Sequence, residues 1–491
     1  MLSNNINHQL GFMIRIRSLL LAFVLSSSIF SSAQADIQIP QIGTAGASAL
    51  SIEKELQFGA AYMRIIRAGS RMTNDPVLSE YVDELGHKLV ANAEQVRTPF
   101  TFFMVTNDEI NAAAFLGGHV MIHTGLFLNA SNESELASVL AHEIAHVTQR
   151  HIARSIENQA ANQNLTIAGM VGALLLGLAN PAAGIAVFQS TVAANMQNSI
   201  NYTRSNEFEA DRIGIRTLAN AGYDPTGMSD FFGKLADKYR FASKPPQMLV
   251  THPLPDTRVA EARARANQMG QKYVPPSLNY QFAKSRIIVR HGTMDAKASL
   301  SHFERALERK EFVLKDAALY GKALALFANE RYSEAKTIIS DLDSRHPNNL
   351  FLLDTLSDID LSTDNTSQAI KRLERANKRF PLNQVVVLNL AVAYQSAKQY
   401  EQAESLLVEF LHEHPDNVLA WSQRRTIEQR LGKTAQSHVS RAEYLALHSD
   451  YQRAIDELYS AFSRSESTLE RARIEARIEQ FKLAEQKLQE F

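Results

Sequence analysis

The 491-residue chain contains no cysteine. That absence removes disulfides as a source of stability and thiolates as metal ligands, so any bound metal must be held by His, Asp or Glu. An excess of charge is also missing: 51 Lys and Arg stand against 52 Asp and Glu, a formal net charge of −1. With no basic surplus to neutralise phosphates, the chain is not expected to bind nucleic acid. Nor is there an apolar run suited to crossing a bilayer. Leu19–Phe30 is short for a span of ~20 residues. The second apolar stretch, Leu165 to Phe188, is broken by Asn180-Pro181 into pieces too short for a hydrocarbon core of ~30 Å. What remains is ordinary globular composition, 45% apolar and 21% charged, in a chain long enough for two or more domains.

The first apolar run belongs to an export signal. Arg15 and Arg17 precede it, no acidic residue occurs before Asp36, and Ala33-Gln34-Ala35 forms an A-x-A cleavage site. Residues 1–35 are expected to be removed, leaving a mature chain that starts at Asp36 with an extended arm to Ala49.

The chemistry gathers around His142-Glu143-Ile144-Ala145-His146. Two histidines four residues apart lie on one face of a helix and can reach one ion, and Glu143 can address a water there. The helix is expected to begin at Asn132, with Glu135 as its cap partner and Leu136, Val139, Leu140, Ile144 and Val147 as its apolar stripe. Upstream, Ser51–Arg71 and a segment opened by Asp75-Pro76 have helical spacing. Phe100–Val105 reads as a strand, and Val120–His123 as another, flanked by Gly117, Gly118 and Gly125. Glycines beside a strand mark a close backbone approach. Two readings fit this one: a substrate adding along the edge, or a plain hairpin.

Glu207 and Asp211, four apart in Asn206-Glu207-Phe208-Glu209-Ala210-Asp211, share a helix face. Glu207 is the expected third metal ligand, and Asp211 the acceptor for the free N–H of a ligating imidazole. Glu209 points elsewhere on helical geometry and reads as a surface charge. In Thr251-His252-Pro253-Leu254-Pro255-Asp256-Thr257-Arg258, His252 is a candidate fourth ligand, gate or oxyanion donor. Arg258 is a candidate for stabilising the reaction intermediate or tying down the loop. The 165–188 insert reads as a buried hairpin, a cap over the cleft or a membrane-surface contact.

Beyond Pro275-Pro276 the chain repeats itself. Pro347, Pro381 and Pro415 are each followed two positions later by Asn349, Asn383 and Asn417, and Ala335, Ala369 and Ala403 keep the same interval. A period of about 34 residues is the tetratricopeptide signature, and stacked repeats offer a concave surface for an extended peptide or partner protein. The register breaks after Trp421, and Ile455–Leu488 reads as a charged capping helix.

Taken in order, His142-Glu143-x-x-His146, Asn206-Glu207-x-Glu209-Ala210-Asp211 and His252-Pro253 with Arg258 resemble the gluzincin peptidases related to the CAAX prenyl proteases, over roughly Ser51 to Ala266. The resemblance implies one Zn2+ per chain on His142, His146 and Glu207, with Glu143 as the catalytic glutamate. The CAAX proteases span membranes many times and this chain does not, so a prenylated substrate is not implied. Joined to an export signal and C-terminal repeats, the resemblance implies a periplasmic protease and chaperone of outer-membrane protein biogenesis. Its implied partners are unfolded or misassembled outer-membrane proteins and, through the repeats, the β-barrel assembly machinery. The rival expectation is a chaperone or adaptor whose peptidase site is kept closed. The expected fold is mainly α: an α+β zincin-type metallopeptidase domain with a small sheet over 36–270, then an all-α tetratricopeptide-repeat solenoid over 271–491.

Overall fold

A computed structural model describes residues 50–162, 196–240, 247–270 and 272–489. The expected signal peptide, the arm that follows it and the 165–188 insert lie outside these residues. Among the described residues no helix is long and apolar enough to cross a membrane.

Two amphipathic helices open the fold, α1 (Ile52–Gly69) and α2 (Pro76–Val90). Each starts on a side chain that accepts otherwise orphaned N–H groups: Ser51 takes that of Lys54, and Asp75 takes those of Val77 and Leu78. A three-stranded sheet follows, with β1 (Thr101–Val105), β2 (Ala112–Ala114) and β3 (His119–His123) in the order β1-β3-β2. β3 pairs parallel with β1 and antiparallel with β2. It is therefore the central strand, and a substrate cannot add along it; the hairpin reading of its glycines holds. The close backbone approach they permit comes from α1. Gly117 and Gly118 have φ of 76° and 80°, and a Cβ on Gly59 of α1 would lie 2.1 Å from the Leu116 carbonyl oxygen. Both outer strands are edges; β1 has a bridge to Met72 on its far side, and among the described residues β2 pairs with no strand but β3.

α3 (Thr124–Asn129) leads into α4 (Glu133–Thr148), which carries the two histidines. Asn132 caps α4 by accepting the Glu135 N–H, while the Glu135 carboxylate accepts from Ser131 rather than from Asn132. Then come α5 (His151–Asn162), α6 (Met196–Asn220), α7 (Thr226–Tyr239), the short α8 (Gln247–Thr251) and α9 (Asp256–Met269). α6 packs along α4, and Gly214 lets the two backbones meet: a Cβ there would sit 3.1 Å from the His142 nitrogen.

The remaining helices are antiparallel neighbours: α10 (Leu278–Arg290), α11 (Ala296–Arg309), α12 (Lys315–Ala328), α13 (Tyr332–Arg345), α14 (Leu350–Ser362), α15 (Thr366–Arg379), α16 (Gln384–Ser396), α17 (Tyr400–Glu413), α18 (Val418–Arg430), α19 (Thr434–Ala446), α20 (Tyr451–Arg464) and α21 (Thr468–Gln489). The asparagines that follow the prolines are the N-caps of α14, α16 and α18. The turn within each helix pair needs one left-handed residue, and Glu330, Asp364, Lys398 and Gly432 supply it at φ of 60°, 56°, 60° and 71°. The helical period thus runs past Trp421, where the residue pattern fades. The C-terminal segment is two helices, α20 and α21, not one.

The largest hydrophobic core joins the histidine-bearing helix to the first repeats, while the later repeats pack around cores of their own, Val387 to Ile427 and Ala442 to Phe481. The largest runs from Val77 and Leu140 through Tyr280 and Phe282 to Phe351 and Val385. Polar ties cross the same ground. Arg286 of α10 is buried, with Nε donating to Asp75 Oδ2 at 2.6 Å and Nη1 2.7 Å from Asp354 Oδ2 of α14. Asn383 and Gln384 donate to the Glu80 carboxylate at 2.6 and 2.8 Å.

Candidate metal centre

α4 has a core-facing stripe and a second face bearing His142, Glu143 and His146. Because Leu136, Leu140 and Ile144 are fully buried, the helix cannot roll, and its histidines are held toward α6. His142 Nε2 lies 3.0 Å from His146 Nε2 and 3.4 Å from Glu207 Oε2, and His146 Nε2 lies 3.4 Å from Glu207 Oε1. Donor atoms this close match roughly the 3.3 Å edge of a tetrahedron whose metal–ligand distances are ~2.0–2.1 Å. His252, between α8 and α9, joins them: its Nδ1 is 3.1 Å from Glu207 Oε1 and 3.4 Å from His142 Nε2. The four ligand atoms of His142, His146, Glu207 and His252 all fall within 4.8 Å of one another.

Charge favours a cation here. Glu143, Glu207 and Asp211 are buried carboxylates beside a single buried guanidinium, Arg258. Burial would raise Glu207, but His252, His142 and His146 outweigh it and hold it well below the usual carboxylate range. Burial would lower His142, but Asp211 and Glu207 push it up to about 10. His252 is likewise raised by Glu207 and Glu143 against its burial. Burial pulls His146 well below the usual imidazole value.

Glu143 is 1% exposed. Its Oε2 accepts the backbone N–H of Ala114, on the edge strand β2, at 2.9 Å. Its Oε1 is 3.5 Å from His252 Nε2 and, among the described residues, has no hydrogen-bond partner. The one free lone-pair-bearing oxygen of this carboxylate therefore faces the histidine cluster.

Asp211 Oδ1 lies 2.9 Å from His142 Nδ1. Arg258 has its donors engaged. Nε and Nη2 donate to Asp211 at 2.7 and 2.8 Å, and Nη1 donates to the Pro253 carbonyl at 2.7 Å and lies 2.8 Å from Glu207. These contacts tie the guanidinium to Asp211, to Glu207 and to the loop that carries His252.

Glu209 is not the surface charge expected of it. Its Oε2 accepts from Arg154 Nη1 at 2.8 Å and lies 3.2 Å from His151 Nε2, and these partners hold its carboxyl down to about 2 against its burial. His151 Nδ1 is in turn 2.8 Å from His146 Nδ1. Helical spacing gives no hint of this contact, because residues five apart do not share a face. It arises because α4 ends and Arg150 takes a left-handed φ of 54°, turning His151 back onto the helix it follows.

Residues 76–266 match the model of peptidase family M48, and residues 361–424 match a tetratricopeptide repeat. The chain is 44% identical over 466 residues to a relative in Vibrio cholerae, covering 94% of this chain and 96% of that one. It is 40% identical over 457 residues to the beta-barrel assembly-enhancing protease of Escherichia coli K12, covering 92% and 93%. The peptidase part alone is 28% identical over 161 residues to the human mitochondrial metalloendopeptidase OMA1, covering 32% of this chain and 30% of that one. A metallopeptidase catalytic region, tetratricopeptide helices and near-full-length identity at this level agree, and the chain belongs to the beta-barrel assembly-enhancing protease family of M48 metallopeptidases.

Proposed function

We propose that this chain is a periplasmic zinc-dependent endopeptidase that assists the assembly of outer-membrane β-barrel proteins and degrades those that misassemble. The observation that carries the reading is the convergence of His142, His146, Glu207 and His252 beneath a buried Glu143 that is hydrogen-bonded to the edge strand β2. Two imidazoles and a carboxylate form a donor set that suits zinc. When bound, zinc supplies Lewis acidity and brings the pKa of a water towards ~7. His142, His146 and Glu207 hold it, Asp211 orients His142, and Arg258 locks Asp211 and the His252 loop in place. A substrate strand adding along β2 is brought past Glu143. Glu143 accepts a proton from the attacking water and returns it to the leaving amine. Periplasmic placement rests on the export signal at residues 1–35 and on the family. The repeats are proposed to engage the β-barrel assembly machinery.

A second reading has its own observation. His252 lies within the ligand cluster, where a fourth protein ligand leaves no position for water. On this reading the resting chain is a chaperone whose peptidase activity is latent until the His252 loop withdraws.

The test of the first reading is Glu143→Gln. The variant keeps its zinc and loses hydrolysis of an unfolded outer-membrane protein; cleavage at the normal rate would overturn the assignment.

A further inference from the structure

We infer that His151 is a positioning residue that fixes the tautomer and orientation of His146, through a carboxylate–imidazole–imidazole chain anchored by Glu209 and Arg154. The inference rests on His146 serving as a metal ligand through Nε2.

His146 Nε2 faces His142 and Glu207, at 3.0 and 3.4 Å. A neutral imidazole that offers its Nε2 lone pair to a cation carries its proton on Nδ1. That N–H then meets His151 Nδ1 at 2.8 Å, which must be the acceptor. His151 therefore carries its own proton on Nε2, 3.2 Å from Glu209 Oε2, and donates it there. Arg154 donates to the same carboxylate oxygen at 2.8 Å. Every link runs in one direction. Reversing it would aim the His151 Nε2 lone pair at the Glu209 carboxylate and place the His146 proton on the nitrogen that faces the cluster. Glu209 thus selects the tautomer of a ring it does not touch.

The two histidines of α4 are consequently oriented by different chemistry. His142 meets a carboxylate directly, at Asp211. On its Nδ1 side, His146 meets one only through an intervening ring. The backbone is built to present that ring: Arg150 holds its left-handed conformation while its side chain bonds Glu55 and the Leu50 carbonyl. His151 itself is 4% exposed, so water does not compete for the contact.

Partners of this kind typically contribute roughly 10–100-fold to metal affinity. The test uses the full-length chain with His151→Phe, His151→Ala and His151→Asn beside His146→Ala. Zinc affinity is measured by chelator competition, the visible spectrum by cobalt substitution, and folding by thermal unfolding. Phe preserves bulk without an acceptor; Asn keeps an acceptor near the Nδ1 position and loses bulk. The expected result is a loss of roughly 10–100-fold in zinc affinity for Phe and Ala, with Asn largely restored and cobalt spectra shifted only where the acceptor is lost. A filler role ranks Phe above Asn, and that order would overturn the inference. If His146→Ala loses zinc while all three His151 variants hold it at the normal affinity, this inference alone fails. If His146→Ala keeps zinc, the ligand reading fails with it.

Discussion

Arg258 grips both oxygens of Asp211, at 2.7 and 2.8 Å, and so makes the residue behind His142 immobile. Arg258 is 2% exposed and also lies 2.8 Å from Glu207. Its removal takes the guanidinium from two buried carboxylates and leaves them the imidazoles of His142 and His252. Arg258→Ala is expected to lose about 3–5 kcal/mol of stability. Denaturant unfolding of the metal-free protein measures this, and a change below ~1 kcal/mol would show that the pairing contributes little.

His252→Ala separates the roles proposed for that ring by the sign of the effect. As a ligand that closes the site, its removal raises endoproteolysis of an unfolded outer-membrane protein. As an oxyanion donor, its removal lowers turnover by ~10²–10³. The position of Nδ1, 3.1 Å from Glu207, favours the rise. Initial cleavage rates at matched zinc loading decide between the two.

Gly59→Ala tests whether helix propensity or steric contact wins. Ala is favoured over Gly inside a helix by ~1 kcal/mol. Here the new Cβ would lie 2.1 Å from the Leu116 carbonyl oxygen, and backbone cannot swing aside as a side chain would. The net effect is expected to be destabilising, with overpacking of about 1–3 kcal/mol outweighing the propensity gain. The displaced turn follows directly on β2, whose last residue, Ala114, donates to Glu143, so turnover should fall along with the melting temperature.

Stability should decline in mild acid because of His119. Burial, reinforced by Arg67, pushes this imidazole down to about 4. In the unfolded chain it titrates near ~6.5. Between those values the unfolded state binds a proton that the folded state refuses, so stability falls as pH drops through that window and levels off below it. A His119→Gln variant should show a flatter profile from neutral pH to about 4; unfolding free energies that run parallel to the parent would refute this.

Asp75→Ala removes a helix cap and the counter-charge of Arg286 together. The cap contributes ~1 kcal/mol, and leaving the guanidinium without Asp75 adds more, up to about 3–5 kcal/mol. Adding Arg286→Met should recover part of the loss, which a double-mutant cycle reads directly.

Local spacing carried much of the candidate site. His142 and His146, and separately Glu207 and Asp211, are four apart on helices, where one face is dictated by 3.6-residue geometry. His151 escaped that logic because Arg150 breaks the helix before it. Strand order was equally hidden: nothing local to Val120–His123 says that Thr101–Val105 covers its other side, since parallel pairing is set by the tertiary crossover. The repeats were legible where proline, asparagine and alanine kept step, and faded after Trp421 although the helices continued. There the left-handed turn at Gly432 maintains the period that the side chains no longer advertise. The tie from Asp75 through Arg286 to Asp354 joins residues too far apart in the chain for any window of sequence to associate.

Among the described residues, one hydrophobic core passes from Leu140 beneath the histidines to Val385 in the repeats. A close-packed interior transmits strain and does not absorb it. A load on the first repeats is therefore expected to reach the helix bearing Glu143. The histidine-bearing helix and the first repeats thus share one packed interior, and are not two bodies joined by a strap.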